Sequence, residues 1–277
     1  MVWTLCLCIG LCSGFLAGLL GVGGGIVIVP ALILGAQQFG IGADDAAPVA
    51  MATSLAIVIP TSISSARAHA SHDSIDWVAF RCLAPGIAGG ALAGTLAVCA
   101  LGALGGRLAL ATFVGFALLA AYRMLAPVSA AIRTDSAPDS ALDSAALLLR
   151  ATRLRPHSVA IGLLSALAGV GGGLLSVPLL ARAIPLRRAI GTAAALGLPL
   201  AVAGLSGFLL SGHAAKCSAG CLGYVFLPAV LAISLAAVTT APLGASLSHH
   251  LPAALLKRSF AALLLLVSAD LSADLFR

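Results

Sequence analysis

The chain has 277 residues, of which 61% are hydrophobic and 9% charged, and its net charge is +6. Soluble domains carry about 25% charged residues, so this composition excludes an ordinary soluble protein and indicates one that lies within a lipid bilayer. The basic side chains fall between apolar runs, where they orient a membrane protein. This position accounts for the positive net charge, so we predict no nucleic-acid partner.

The apolar segments predict helices in two sets of four. The first set covers 3–36 (interrupted at 21–25), 46–66, 77–100 and 106–125. The second set covers 157–181 (interrupted at 169–173), 187–211, 223–247 and 253–270. The least apolar stretch lies between the sets and holds four arginines and three aspartates. We therefore predict three regions: transmembrane repeat 1 at 1–126, a central linker at 127–156 and transmembrane repeat 2 at 157–277.

A glycine-rich phrase occurs once in each set. The sequence GFLAGLLGVGGGIVIVP at 14–30 aligns without a gap with GLLSALAGVGGGLLSVP at 162–178, at an offset of 148 residues. Self-similarity of this kind indicates that one structural unit is used twice. Three later pairs of residues also correspond: Thr53 with Thr192, Pro60 with Pro199, and Gly94 with Gly244.

The interrupted segments are compatible with two topologies. The residues 156–181 would form about 39 Å of helix, enough for one tilted span or for a hairpin of two half-helices. With spans, the repeats are parallel and the lysines and arginines divide nine to six between the two sides. With re-entrant hairpins, the repeats are inverted and 12 of the 15 lie on the linker side, which leaves only Arg107, Lys216 and Arg277 opposite. The positive-inside rule favours the hairpins, with the linker in the cytoplasm and both termini outside.

The predicted fold is therefore all-α: a polytopic membrane protein of two homologous four-segment repeats, each with a Gly-broken, re-entrant helix. Broken hydrophobic segments in corresponding positions of two halves are a sequence pointer to the binding site of a transporter. The backbone groups that such breaks expose must be satisfied by protein, by water or by a ligand.

The glycine clusters predict a site for a small anion. A half-helix begins after each cluster, at about Gly25 and Gly173, where free N–H groups and the helix dipole attract negative charge. Glycine also lets a ligand approach the backbone closely. The predicted substrate-binding residues are Gly21, Gly23, Gly24, Gly25, Thr53, Ser54, Gly169, Gly171, Gly172, Gly173 and Thr192. Further hydroxyl donors are Ser13, Ser165 and Ser176, and candidate cations are Arg67, Arg81 and Arg123.

The glycine clusters also have other interpretations. Close helix packing is the structural alternative. No GK[ST] follows the glycines, which excludes a P-loop, and Gly21-x-Gly23-x-x-Ile26 lacks the third glycine of a dinucleotide motif. Ser211-Gly212-His213 does not have the geometry of a nucleophile and its base, so we predict no enzyme. An anion channel and a non-transporting membrane interaction protein stay open as alternatives.

The doubled G-x-GGG-x(4)-P phrase resembles the TauE/SafE family, exporters of sulfite and organosulfur anions. The resemblance covers nearly the whole chain and includes Ala52–Leu55, Gly191–Ala193, Gly223–Val225 and Pro242–Gly244. It implies a multi-pass protein of the cell inner membrane that moves sulfite, sulfonates or related anions. Ala193 stands where repeat 1 has Ser54, so the two halves of the site are not chemically equal.

Cysteine and histidine add two smaller expectations. Cys217 and Cys221 lie in a loop that the favoured topology puts outside, where a disulfide bond is allowed. His69 or His72 would suit proton coupling because histidine titrates near neutral pH. The sequence predicts no cofactor and no metal; the predicted partners are the anion, the lipid bilayer and, if the protein assembles, a second copy of the chain.

Overall fold

The structure is a computed structural model that describes residues 2–20, 24–42, 45–71, 73–125, 155–181, 184–211, 220–247, 261–262 and 264–272. Nine α-helices are bounded within these residues: α1 (Val2–Leu20), α2 (Gly25–Leu34), α3 (Ala46–Ala70), α4 (Trp77–Leu101), α5 (Ala103–Leu125), α6 (Arg155–Leu167), α7 (Gly173–Leu180), α8 (Leu186–Leu210) and α9 (Leu227–Leu247). The 3₁₀ helix Ala36–Phe39 and two short strands, β1 (Cys221–Leu222) and β2 (Val225–Phe226), complete the bounded elements. Residues 264–272 are also helical.

The predicted helical membrane architecture is confirmed in its main features. Among the described residues, α3, α4, α5 and α8 are long and apolar enough to cross a membrane. Each predicted interruption falls between two shorter helices, α1 and α2 in the first set and α6 and α7 in the second. Residues 127–154 of the predicted linker lie outside the described residues, so the three predicted regions stay a prediction.

One predicted helix begins later than expected. The segment 223–247 was expected to be apolar helix throughout, but β1 and β2 form an antiparallel hairpin in which Cys221 pairs with Phe226. Gly223 turns the chain with a φ of 59°, a conformation that favours glycine. The helix α9 begins only at Leu227, and its second residue is Pro228, which suits the first turn of a helix because its missing N–H would have no partner there.

The helices α1 and α9 pack at glycines. A Cβ added to Gly10 would lie 2.7 Å from the Ala236 Cβ, and one added to Gly14 would overlap Ala237. Thr240 Oγ1 lies 3.2 Å from the Leu11 carbonyl oxygen, to which it donates. Contacts advance along both helices together, so α1 and α9 run parallel. Small residues let two backbones approach closely, as is common between membrane helices.

The helices α4 and α6 pack in the same manner. A Cβ on Gly90 would overlap the Val159 carbonyl oxygen, and one on Gly94 would lie 3.1 Å from the Leu163 carbonyl oxygen. A Cβ on Gly162 would in turn overlap the carbonyl oxygen of Ile87. Since Gly90 meets Val159 and Gly94 meets Leu163, α4 and α6 also run parallel.

The helices α3 and α8 form the centre of the molecule and run antiparallel. A Cβ on Gly204 would lie 2.9 Å from Leu55, one on Gly197 would lie 2.6 Å from Ser62, and one on Gly191 would overlap the Ser74 backbone just beyond the end of α3. Residues 51–55 of α3 are completely buried.

The helix α8 runs parallel to α4. At one end Thr192 bonds to Asp76, directly before α4, and at the other Gly207 lies against Thr95. Asp76 also caps α4, because its carboxylate accepts hydrogen bonds from the N–H groups of Val78 and Ala79 at 3.0 and 2.9 Å.

Candidate functional site

The second glycine phrase ends one helix and starts another. After α6, Gly169 has a φ of 63° and its N–H donates to the Ala166 carbonyl, while the Val170 N–H donates to the Ser165 carbonyl, both at 3.0 Å. This pair of bonds is the Schellman arrangement, which places glycine at the left-handed position. Gly169 is therefore required by the local backbone, whatever else it does.

Both half-helices that follow the phrases begin with a glycine cap. Gly24 precedes α2 and Gly172 precedes α7, and neither helix start receives a hydrogen bond from a capping side chain. The first N–H groups of a helix have no intrahelical partner, and the helix dipole makes this end partially positive. Helix starts without a capping side chain are the feature on which the predicted anion site depends.

The two phrases approach each other in the core. A Cβ on Gly25 would lie 2.7 Å from the Gly169 carbonyl oxygen and 3.0 Å from both the Val170 Cα and the Ser54 Oγ. Ser54 Oγ donates a hydrogen bond of 2.7 Å to the same Gly169 carbonyl. The predicted site residues Gly25, Ser54 and Gly169 are thus brought together, and at this contact close packing by itself demands glycine.

Other glycines of the phrases have more space. A Cβ on Gly24 would meet the Ile28 Cδ1 at 3.3 Å, and one on Gly172 would meet the Leu200 Cδ1 at 3.3 Å. Both neighbours are ends of flexible side chains. The nearest atom to a Cβ on Gly171 is 3.8 Å away, in Val58. Packing does not demand glycine at these positions. Gly21 and Gly23 lie outside the described residues.

The hydroxyls predicted to line the site divide into engaged and free. Ser13 donates to the Gly10 carbonyl at 3.2 Å and Ser176 to the Gly172 carbonyl at 2.6 Å, so both are used within their own segments. Ser165 is completely buried, and its hydroxyl has no hydrogen-bond partner. A buried polar group left unpaired costs about 1–3 kcal/mol. Ser165 therefore keeps a donor that a ligand could use.

The two predicted threonines bind backbone instead. Thr53 Oγ1 accepts a hydrogen bond from the Phe226 N–H at 3.0 Å, and Thr192 Oγ1 accepts one from the Asp76 N–H at 2.9 Å. Thr53 adjoins Ser54 and thus the meeting point of the phrases. Thr192 is eight residues from Leu200, the neighbour of Gly172, and the structure does not bring it to that meeting point.

Arg123 reaches the second half-helix through a carbonyl that proline frees. Pro178 lies inside α7 and has no N–H, so the Leu174 carbonyl lacks its usual partner four residues on. The Arg123 Nη1 donates to this carbonyl at 3.2 Å. Arg123 is one of the three candidate cations, and its guanidinium therefore lies beside the first turn of α7. In α2, Pro30 likewise has no N–H, so the Ile26 carbonyl lacks its usual partner four residues on.

The hairpin before α9 covers one end of the helical core, and sequence reasoning missed this role. The Phe226 ring lies 5.4 Å from the Phe39 ring, and the Tyr224 ring lies 5.9 Å from the Phe208 ring, measured between centroids. Burial raises the pKa of the Tyr224 phenol, so this side chain is neutral near pH 7. The signals in the sequence were Gly220, Gly223 and Pro228, which favour a turn before the helix.

The same hairpin carries a disulfide bond at Cys221. The cysteines Cys6, Cys8, Cys12, Cys82 and Cys99 are free, and the expected partner, Cys217, lies outside the described residues. Disulfide bonds persist in oxidising compartments. The bond therefore agrees with an external position for this loop.

We expect a membrane-impermeant maleimide to label the protein in intact cells only after reduction, because reduction frees thiols that face the exterior. A variant with both Cys217 and Cys221 changed to serine serves as the control and should stay unlabelled. Labelling that requires permeabilised cells would put the loop on the cytoplasmic side.

Comparison with known proteins agrees with this architecture. The chain matches the sulfite exporter TauE/SafE family over residues 6–271. It is 35% identical over 270 residues to a "Probable membrane transporter protein" of Haemophilus influenzae, which covers 96% of this chain and 97% of the relative. It is 27% identical over 258 residues to a protein with the same description from Methanocaldococcus jannaschii, over 91% of this chain and 88% of the relative. No solved structure matches the chain. Because the family match extends over nearly the whole sequence, the chain belongs to the TauE/SafE family and is a multi-pass membrane transporter.

Proposed function

We propose that this transporter moves small anions, bound where the two glycine phrases meet. The observation that carries the proposal is that the start of α2 packs against the turn at Gly169 and Val170 that leads into α7, and that both half-helices begin with glycine caps and no capping side chain. Each helix start contributes about 0.3–2 kcal/mol to the binding of negative charge. Full dehydration of an anion costs far more, so the anion keeps part of its water or meets further donors. Two candidate donors are the unpartnered hydroxyl of Ser165 on α6 and the guanidinium of Arg123, which lies against the first turn of α7.

The proposed fold around this site consists of two inverted repeats with re-entrant hairpins. Helix directions support it. The helices α6 and α8 both run parallel to α4, so they point the same way, and the chain between them has to return through α7. The corresponding helices α3 and α8 run antiparallel, as inverted repeats require.

Matching contacts in the two halves support the repeat itself. The helix that enters each glycine cluster packs in parallel on a helix of the other half: α1 packs on α9, and α6 packs on α4. Leu11 and Val159 are 148 positions apart, and each presents its carbonyl oxygen to residues 150 positions apart, Thr240 and Gly90. The offset of 148 also aligns the two glycine phrases, and the offset of 150 also aligns Gly94 with Gly244.

Topology reporters test this arrangement. Fusions at Ser140, Ala183, Ser218 and the C-terminus are expected to report cytoplasm, cytoplasm, exterior and exterior, in that order. The physical reason is the concentration of lysine and arginine on the linker side. The informative position is Ala183, because only a hairpin returns it to the cytoplasm. An exterior signal there would restore parallel repeats with four crossings each.

We propose sulfite, sulfonates or related organosulfur anions as substrates, in the inner membrane of a bacterial cell. The family description names sulfite export, and a site built from backbone N–H groups suits oxyanions of this type. Helical spans also suit the inner membrane, because bacterial outer-membrane proteins are typically barrels.

The decisive experiment is flux of radiolabelled sulfite, sulfoacetate, sulfate and acetate in proteoliposomes. Saturable movement of sulfite or sulfoacetate that acetate fails to compete with would support the proposal. Flux that rises without saturation would favour a channel, and no flux of any of the four would contradict anion transport.

A further inference from the structure

Two completely buried threonines connect the two halves of the molecule. Thr53 on α3 accepts the hydrogen bond of the Phe226 N–H, directly before α9. Thr192 on α8 accepts that of the Asp76 N–H, directly before α4. The two bonds have the ordinary lengths of 3.0 and 2.9 Å, and each fixes the backbone at the start of a long helix.

The two bonds occupy equivalent positions. Thr53 and Thr192 correspond in the aligned repeats, and Asp76 and Phe226 are 150 positions apart, the offset that aligns Gly94 with Gly244. Each threonine is therefore hydrogen-bonded to the backbone at the start of a helix in the other half: Thr53 to that of α9 and Thr192 to that of α4. In the proposed topology, the bond of Thr53 lies toward the exterior and that of Thr192 toward the cytoplasm.

We infer that Thr53 and Thr192 are positioning residues that couple the two halves during transport through the backbone hydrogen bonds that they accept. Each hydroxyl already accepts a backbone hydrogen bond, and a buried N–H that loses its acceptor is costly. In carriers with inverted repeats, opening toward one side makes the two halves unequal. The two bonds then respond in opposite directions, so that one loosens as its end opens while the other stays formed. The inference rests on the transport function and topology proposed above.

Hydrogen exchange measured by mass spectrometry tests the coupling without any substrate. Thr53→Val keeps the side-chain shape and removes the acceptor, so exchange of the amides in 220–226 should rise by about fivefold, the worth of one hydrogen bond. If the halves are coupled, exchange in 73–76 should fall in the same variant. In Thr192→Val, exchange should rise in 73–76 and fall in 220–226, and Thr53→Ser should restore protection.

The control is Thr112→Val, because the Thr112 hydroxyl donates to the Leu108 carbonyl of its own helix. Exchange should change in neither segment of this variant. Exchange that rises only next to the altered threonine would reduce both bonds to local caps and overturn the inference.

Sided transport kinetics supply a second readout. If Thr53→Val favours the outward-open state, the half-saturation concentration should fall at the external face and rise at the cytoplasmic face, because apparent affinity follows the population of the binding-competent state. Thr192→Val should do the reverse. If the half-saturation concentration instead rose equally at both faces in either variant, the hydroxyl would be a ligand of the anion and the inference would be overturned. Absence of anion flux in the unaltered protein would count against the proposed function alone, since the exchange experiment still decides whether the halves are coupled.

Discussion

Replacement of Gly24 or Gly172 with leucine is expected to lower anion transport by about tenfold or more per folded molecule, while the protein still inserts. A side chain at either position stands at the uncapped start of α2 or α7, between the first N–H groups and an approaching anion. Loss of one helix terminus from the site removes up to about 2 kcal/mol of binding, and the added bulk also displaces the ligand. A Cβ at either position meets only a flexible side-chain end, 3.3 Å away in Ile28 or Leu200, and we expect these side chains to move aside for leucine so that the protein still folds.

The measurement is initial flux of a sulfur oxyanion, divided by the amount of monodisperse protein in each preparation. Gly89→Leu is the matched control: Gly89 is exposed on α4, and a Cβ there has no neighbour within 4 Å. Alanine at Gly24 and Gly172 gives a milder step in the same series. If the leucine variants transport normally at normal abundance, no ligand approaches these glycines and the packing interpretation is the better one.

Gly25→Ala is expected to have the opposite profile, with loss of stability as its main effect. Its Cβ would lie 2.7 Å from the Gly169 carbonyl oxygen and 3.0 Å from the Val170 Cα. These neighbours are backbone atoms of the other phrase and cannot turn aside as a side chain can. Overpacking of this kind costs about 1–3 kcal/mol, which should lower the thermal unfolding temperature and the yield of folded protein.

Gly24→Ala is the control for this comparison, since it adds the same methyl group one residue earlier where there is room. Thermal unfolding of the two variants in one detergent separates packing from ligand approach. Equal stability of the two would mean that α2 can move away from Gly169, and that the contact between the phrases does not hold the core together.

Much of the architecture could be predicted because it depends on composition along the chain. Long charge-free runs fix which segments are helices, and clusters of glycine mark where two of those helices break. The predicted starts at Ala46 and Trp77 agree with α3 and α4. The start of α9 differs from the prediction for a local reason, because the apolar run around it contains Gly223 and Pro228, which favour a turn before the helix.

The contacts within the site could not be predicted in the same way. Nothing local in the sequence indicates that Ser54 bonds to Gly169, or that the Thr53 hydroxyl accepts a hydrogen bond from Phe226. These pairs are more than 100 residues apart and depend on how the helices cross. Pro178 does reveal from sequence that Leu174 lacks its helical partner, but only the packing of α5 on this region identifies Arg123 as the donor.

The pairing of α1 with α9 also has a consequence for biosynthesis. The first helix leaves the ribosome more than 200 residues before the partner that its glycine face fits. At about 5–20 residues per second, that interval is on the order of 10–40 s, during which Gly10 and Gly14 have lipid or other segments as their only neighbours. The packing of α1 on α9 is therefore a late step of folding. A nascent chain released before residue 227 would contain α1 but not the helix against which α1 packs.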